Sequence, residues 1–118
     1  MLNPKGGDVV RIAIVGSRTL TLENIGKYVP KCDEIVSGGA KGIDTCAAEY
    51  ARNKGIQLTE FLPNYKKYGR AAPIYRNAEI VDYADKVIVF WNGNSKGTLS
   101  VIRYAERTGK ECTVIICK

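Results

Sequence analysis

Histidine is missing altogether from the 118 residues. That absence removes the commonest general base, every Ser-His-Asp or Cys-His arrangement and any mixed Cys/His zinc site. Chemistry in this chain would fall to carboxylates, lysine, tyrosine or the ligand itself. Cysteine is sparse: Cys32, Cys46, Cys112 and Cys117 stand at unrelated spacings with no Cys-x-x-Cys pair. Cys32 and Cys46 read as small apolar residues in or beside regular elements, as reduced cysteines usually are. No apolar stretch approaches the roughly 18 residues of a membrane span, and the first residues show no charged-then-apolar leader. Lysine and arginine form no polybasic run, so no nucleic-acid tail is expected. Together these absences predict a reduced, soluble, cytoplasmic protein with no membrane partner, no metal and no cofactor.

What is present is ordinary in amount. Apolar residues make up 45% and charged residues 25%, as in an average globular protein. The length suits one domain, which would bury roughly two-thirds of its unfolded surface. Eighteen Lys and Arg against twelve Asp and Glu give a formal charge of +6. Such an excess favours anionic partners, whether nucleotides, nucleic acid or acidic proteins.

Residues 1–9, with Pro4, Gly6 and Gly7, carry no periodicity and read as a disordered lead to a domain over 10–118. Residues 10–15 form a short apolar run bounded by Gly16, consistent with a buried strand. Thr21 can cap a helix with Leu22, Ile25 and Val29 inward, ended by Pro30. A second strand over 33–37 is followed by a helix whose Ile43, Cys46, Ala47, Tyr50 and Ala51 form one apolar stripe, closed by Gly55. Residues 57–62 alternate weakly as a third strand, and 63–70 read as a long basic and aromatic turn. Pro73 can begin a helix with Ile74, Ala78 and Val81 inward. Residues 86–91 form a nearly all-apolar and therefore central strand. A helix with Thr98, Val101, Ile102 and Ala105 inward, stopped by Gly109, precedes a last strand over 113–116.

Alternating strands and helices with short joins predict an α/β fold. The expected form is a single doubly wound Rossmann-like domain, with a five-stranded, mainly parallel sheet and helices on both faces. Ligands of such sheets bind beyond the carboxyl ends of the strands, where strand order reverses. Gly-bearing turns fall at that edge: Gly16-Ser17-Arg18, residues 37–42, and residues 92–98. Ser37-Gly38-Gly39-Ala40-Lys41-Gly42-Ile43-Asp44 is the richest, leaving amides uncovered at a helix start whose dipole favours an anion. Lys41 adds a full charge there. Neither Gly-x-Gly-x-x-Gly nor the Walker phosphate loop is present, which disfavours dinucleotide redox enzymes and P-loop NTPases.

These turns, with Arg76-Asn77 and Asn94-Ser95-Lys96-Gly97-Thr98, occur in the order seen in the DNA-processing protein A (Smf/DprA) family. The chain also resembles the wider SLOG superfamily, which includes small stand-alone YspA-like proteins and the "lonely guy" phosphoribohydrolases. The resemblance spans roughly residues 10–117. It implies a Rossmann-like domain that binds a nucleotide or nucleotide-derived small molecule, with single-stranded DNA as the alternative. It also implies that the domain can pair as a homodimer. The phosphoribohydrolases carry a Gly-Gly-x-Gly-Thr-x-x-Glu motif; here Gly97-Thr98 is followed by Leu99, Ser100 and Val101 where that catalytic Glu would fall. A binding or sensing module is therefore expected ahead of a hydrolase, and no residue is assigned a catalytic role.

The candidate ligand residues follow from both readings. Gly16, Ser17 and Arg18 end the first strand, with Arg18 pointing into the mouth of the site. Ser37, Gly38, Gly39 and Gly42 supply backbone donors and close approach, with Lys41 beside them. Asp44 sits in the first turn of its helix, where the dipole would stabilise a carboxylate with or without a ligand. Arg76 with Asn77 matches the family motif, and Arg70 flanks the same helix; an Arg fork suits phosphate oxygens. Asn94, Ser95, Lys96, Gly97 and Thr98 form a second amide-rich turn. Tyr65, Tyr68 and Tyr75 can stack on bases or simply bridge core and surface. Trp91 reads as core and Glu79 as a helix-face ion pair.

Overall fold

The strands β1 (Arg11–Gly16), β2 (Glu34–Ser37), β3 (Gln57–Glu60), β4 (Lys86–Trp91) and β5 (Cys112–Ile116) make one sheet in the order β3-β2-β1-β4-β5. Every pairing is parallel, with Ile12 opposite Ile35 and Val15 opposite Val89. This is a computed structural model, and it describes residues 9–117. Apart from Val9, the expected disordered lead lies outside the described residues.

Among the described residues four α-helices accompany the sheet: α1 (Ile43–Lys54), α2 (Tyr65–Tyr68), α3 (Ala72–Tyr83) and α4 (Lys96–Thr108). Successive side chains of a strand point to opposite faces. Ile12, Ile14, Ile35, Ile88 and Phe90 accordingly pack against Ile43, Ala47 and Ala51 of α1. Ala13, Val15, Val36, Val87 and Val89 pack against Ile80 and Val81 of α3 and Val101, Ile102 and Ala105 of α4. A sheet covered on both faces needs apolar residues at every position of its inner strands, which explains the unbroken runs in β1 and β4. The chain steps outward from β1 to β3 with α1 on one face. It then returns beside β1 and steps to β5 with α3 and α4 on the other. The expected Rossmann-like winding is the one observed, and the sheet is wholly parallel.

The elements depart from expectation at three places. No α-helix forms between β1 and β2: only Ile25–Tyr28 make a single 3₁₀ turn. Gly26 weakens a segment already too short to recover its nucleation cost, and a side chain there would come within 2.7 Å of the Tyr50 ring. Ile25 is nevertheless buried, as its spacing predicts. Secondly, the expected turn over 63–70 contains α2 and a 3₁₀ turn at Gly69–Ala71. Asn64 starts it, its side chain accepting the Lys67 amide at 3.1 Å. Thirdly, Ile74 is not inward: it is 62% exposed, and α3 buries Ala72, Ile80 and Val81 instead. The first turn of α3 borders a cleft through Pro73 and Arg76 rather than the sheet, so Ile74 has no core to face.

Candidate functional site

The site begins with how the turns after β1, β2 and β4 are locked together. Ser17 is buried; its amide donates to Phe90 O at 3.0 Å and its hydroxyl accepts the Asn92 amide at 3.1 Å. The turn after β1 is thereby tied to the turn after β4. Gly42, at φ 73°, begins α1 so close to this turn that a Cβ would fall 2.5 Å from Arg18 O and 2.6 Å from Ser17 O. At Gly16 a Cβ would lie 2.4 Å from Phe90 O and 2.7 Å from an Ile43 side-chain carbon. Glycine at these two positions sets the N-terminus of α1 against the ends of β1 and β4, where a side chain would hold them apart.

A cleft of about 580 Å³ opens above these turns, at the switch point between β1 and β4. Arg18 and Lys41, both exposed, stand on its border with Gly38, Gly39 and Ala40. Ser95, Gly97 and Thr98 close the α4 side. Ser95 caps α4, its hydroxyl accepting the Thr98 amide at 3.3 Å, and the Trp91 indole donates to Ser95 O at 3.0 Å. Among the described residues, the amides of Gly39, Lys41, Lys96 and Gly97 donate to no protein acceptor. Two helix starts thus offer unused donors beside two cations, the arrangement an oxyanion requires.

Arg76 and Asn77 hold the cleft in shape. Arg76 Nη1 donates to Gly38 O at 2.8 Å and to Phe61 O at 3.3 Å, joining the segments after β2 and β3. Its Nε donates to Asn77 Oδ1 at 3.0 Å. Asn77 Nδ2 in turn reaches Gly97 O at 3.4 Å and Ser100 Oγ at 3.1 Å on α4. One dipeptide of α3 therefore braces three neighbouring segments.

Asp44 borders the cleft while only 6% exposed. Its Oδ2 accepts the Ala40 amide at 3.1 Å, which fixes the turn. Burial pushes its carboxyl above the ordinary value of 3.8 and the Glu60 charge adds to this; the Ala40 amide, Ser37 hydroxyl and Arg76 charge pull the other way. The Ser37 hydroxyl lies beside Asp44 and favours the ionised form, yet neither it nor Asp44 Oδ1 meets the geometry of a hydrogen bond among the described residues.

Of the residues singled out from sequence, Gly16, Arg18, Gly38, Gly39, Lys41 and Asp44 border the cleft, as do Arg76, Asn77, Ser95, Gly97 and Thr98. Ser17, Ser37 and Gly42 lie beneath it as scaffold. Arg70, Asn94 and Lys96 are exposed outside its lining. Tyr68 and Tyr75 stack on each other, centroids 4.1 Å apart and planes 15° from parallel, leaving Tyr65 as the tyrosine that borders the cleft. Leu62, Pro63 and Pro73 join the wall without having been singled out, because an apolar residue in a turn gives no sign of what it will face. Asn92, within the expected turn over 92–98 but not among the candidate ligand residues, accepts the amides of Asn94 and Ser95 at its Oδ1 and so shapes the turn before α4. The signal was the Asn-Gly-Asn-Ser run, which invites such a side-chain turn.

A parallel sheet in the order β3-β2-β1-β4-β5, with glycine turns around a cleft at its switch point, defines a Rossmann-like domain. Residues 10–68 match the YspA, cpYpsA-related SLOG family, and the chain belongs to that family. The matched half runs from β1 through α2 and includes the turns after β1 and β2. No curated protein matches the chain significantly.

Proposed function

We propose that the chain binds a nucleotide or nucleotide-derived small molecule in this cleft and acts as a binding or sensing module. The observation that carries the reading is the meeting, at one switch point, of unused amides from the starts of α1 and α4 with the exposed charges of Arg18 and Lys41. Family membership supports a nucleotide-related ligand in general terms. Buried Val101 occupies the wall where, by the resemblance, a phosphoribohydrolase would keep its catalytic Glu. Two methyl groups neither stabilise an oxocarbenium-like sugar nor hold a proton, which places hydrolysis behind binding.

Single-stranded DNA is the second reading, favoured by exposed Tyr65 on the cleft border and by exposed Lys66, Lys67 and Arg70 in the segment that follows it. Each base stacked on an aromatic side chain would add affinity, but the mutual stacking of Tyr68 and Tyr75 occupies one face of each ring.

The test is a thermal-shift and calorimetric panel of AMP, ATP, NAD, ADP-ribose and a short oligothymidylate, repeated at about 50 and 200 mM salt. A ligand at about a hundred times its Kd adds about 2.7 kcal/mol of stability. A mononucleotide-sized ligand is expected to bind with a shallow salt slope, since it neutralises one or two charges. Binding by the oligomer alone, fading steeply with salt, would replace this reading with the DNA one.

A further inference from the structure

We propose that Leu62, Pro63, Tyr65 and Pro73 form an apolar wall on which the base of the ligand lies, with Tyr65 as its stacking platform. The inference rests on the nucleotide reading above and deepens it: the cleft selects a large flat ring carried on a phosphorylated sugar, a purine ahead of a pyrimidine.

The border of the cleft is divided by chemistry. Arg18 stands after β1, Gly39 and Lys41 after β2, and Ser95 and Gly97 after β4. Leu62, Pro63 and Tyr65 follow β3, and Pro73 lies in the first turn of α3. Because the sheet runs β3-β2-β1-β4, the apolar residues after β3 stand at one end of this row. Neighbouring strands are about 4.8 Å apart, which sets the ends of β1 and β3 about 10 Å apart. That leaves room for a sugar between an anion at the switch point and a base at the wall. The two parts also adjoin. Leu62 Cδ2 lies 2.7 Å from where a Cβ of Gly39 would stand, and the Gly39 amide is one of the unused donors. A side chain at residue 39 would hold the wall away from the anion site.

Leu62 and Tyr65 are 65% and 60% exposed while bordering the cleft. Apolar side chains scattered singly over a surface need no explanation, but these two stand with Pro63 and Pro73 around one cavity. The segment that carries them is anchored at both ends. The Phe61 amide donates to Ser37 O at 2.9 Å, and Phe61 O accepts from Arg76 Nη1 at 3.3 Å. Three residues on, the Asn64 side chain accepts the Lys67 amide at 3.1 Å and starts α2. A wall held in this way loses little freedom when a ring is laid on it. The tyrosines divide accordingly. Tyr68 and Tyr75 stack on each other, whereas among the described residues the Tyr65 ring packs on no aromatic ring and under no cation. Its faces are therefore open to a ligand. Such a wall supplies area and few hydrogen bonds, so it ranks bases by the size of the ring.

The experiment is calorimetric titration of the full chain with AMP, GMP, CMP, UMP and ribose 5-phosphate. It is run on the parent, Tyr65→Phe, Tyr65→Ala and Leu62→Ser. AMP and GMP are expected to bind about tenfold or more tightly than ribose 5-phosphate, the scale of one base stacked on an aromatic side chain, with CMP and UMP between. Tyr65→Ala should bring AMP toward ribose 5-phosphate and leave the sugar phosphate itself as in the parent, while Tyr65→Phe keeps the selectivity. Leu62→Ser should act in the same direction as Tyr65→Ala. Both side chains are exposed, so the unfolding midpoints of the variants should match the parent. Equal affinity for AMP and ribose 5-phosphate in the parent would overturn the base wall while the binding of nucleotides stood. Selectivity unchanged in Tyr65→Ala, or a loss that ribose 5-phosphate shares equally, would overturn the role of Tyr65. Binding of no nucleotide would overturn the nucleotide reading together with the wall.

Discussion

Asp44 carries opposing demands within one side chain. It fixes the turn before α1 through Ala40, yet it is held in a setting that penalises its charge. Because its folded-state pKa is raised by burial, the folded chain keeps this proton to higher pH than the unfolded chain does. Stability therefore falls as pH rises from about the ordinary carboxylate value of 3.8 through the folded value, and the penalty is complete above it. Asp44→Asn removes the titration and is expected to raise the midpoint of thermal unfolding at neutral pH. The gain should shrink as the solution is acidified through the same window. Unfolding curves of both proteins across pH would show it, and a variant less stable than the parent at neutral pH would contradict it. A residue that lowers stability while bordering a cleft is the trade expected at a binding site.

At the scale of elements, α3 is the brace of the cleft. Removing the Arg76 fork frees two carbonyls on two different segments, Gly38 O after β2 and Phe61 O after β3. Hydrogen bonds to a charged group are each worth about 1.5–3 kcal/mol, and this guanidinium is half-buried. Arg76→Ala is expected to cost about 2–3 kcal/mol of stability and to speed hydrogen exchange in residues 38–41. Exchange in β4 should slow or quicken only with global stability, since Arg76 makes no bond there. The same helix shows where periodicity misleads. Ile74 fits the apolar stripe by spacing, but the stripe assumes that the helix lies over the sheet along its whole length. The first turn of α3 overhangs the cleft, so the spacing has nothing to pack against there.

For the whole molecule, strand position sets the order of local opening. β1 and β4 are flanked by strands on both sides and covered on both faces, whereas β3 and β5 are edges. Val114 and Ile116 of β5 are exposed. Amides of β1 and β4 are expected to exchange only by global unfolding, and those of β3 and β5 through smaller openings. Native-state hydrogen exchange reads this directly. Protection of β5 equal to that of β4, rising with protein concentration, would instead mean that its outer edge is covered by a second copy, the pairing that the resemblance implies. No helix among the described residues is long and apolar enough to cross a membrane.

The sequence alone determined the alternation of elements, because hydrophobic period and helix stops are local. Residues 86–91 read as a central strand and are β4, and Gly55 and Gly109 end α1 and α4 in the left-handed conformation that favours glycine. It also determined that the glycine turns lie on one rim, since every parallel strand ends at the same edge of its sheet. Only the tertiary structure decided which of those residues meet the cleft and which lie beneath it. Ser17 and Ser37 have the composition of ligand contacts, but their hydroxyls are enclosed by neighbouring turns that no local pattern encodes. Likewise, the partners of Arg76 lie 38 and 15 residues away in the chain, and the close approach of Arg76 and Asp44 to the backbone at residue 38 depends on Gly38 having no side chain. Such relations arise when distant segments fold onto one another, and spacing along a single element carries no record of them.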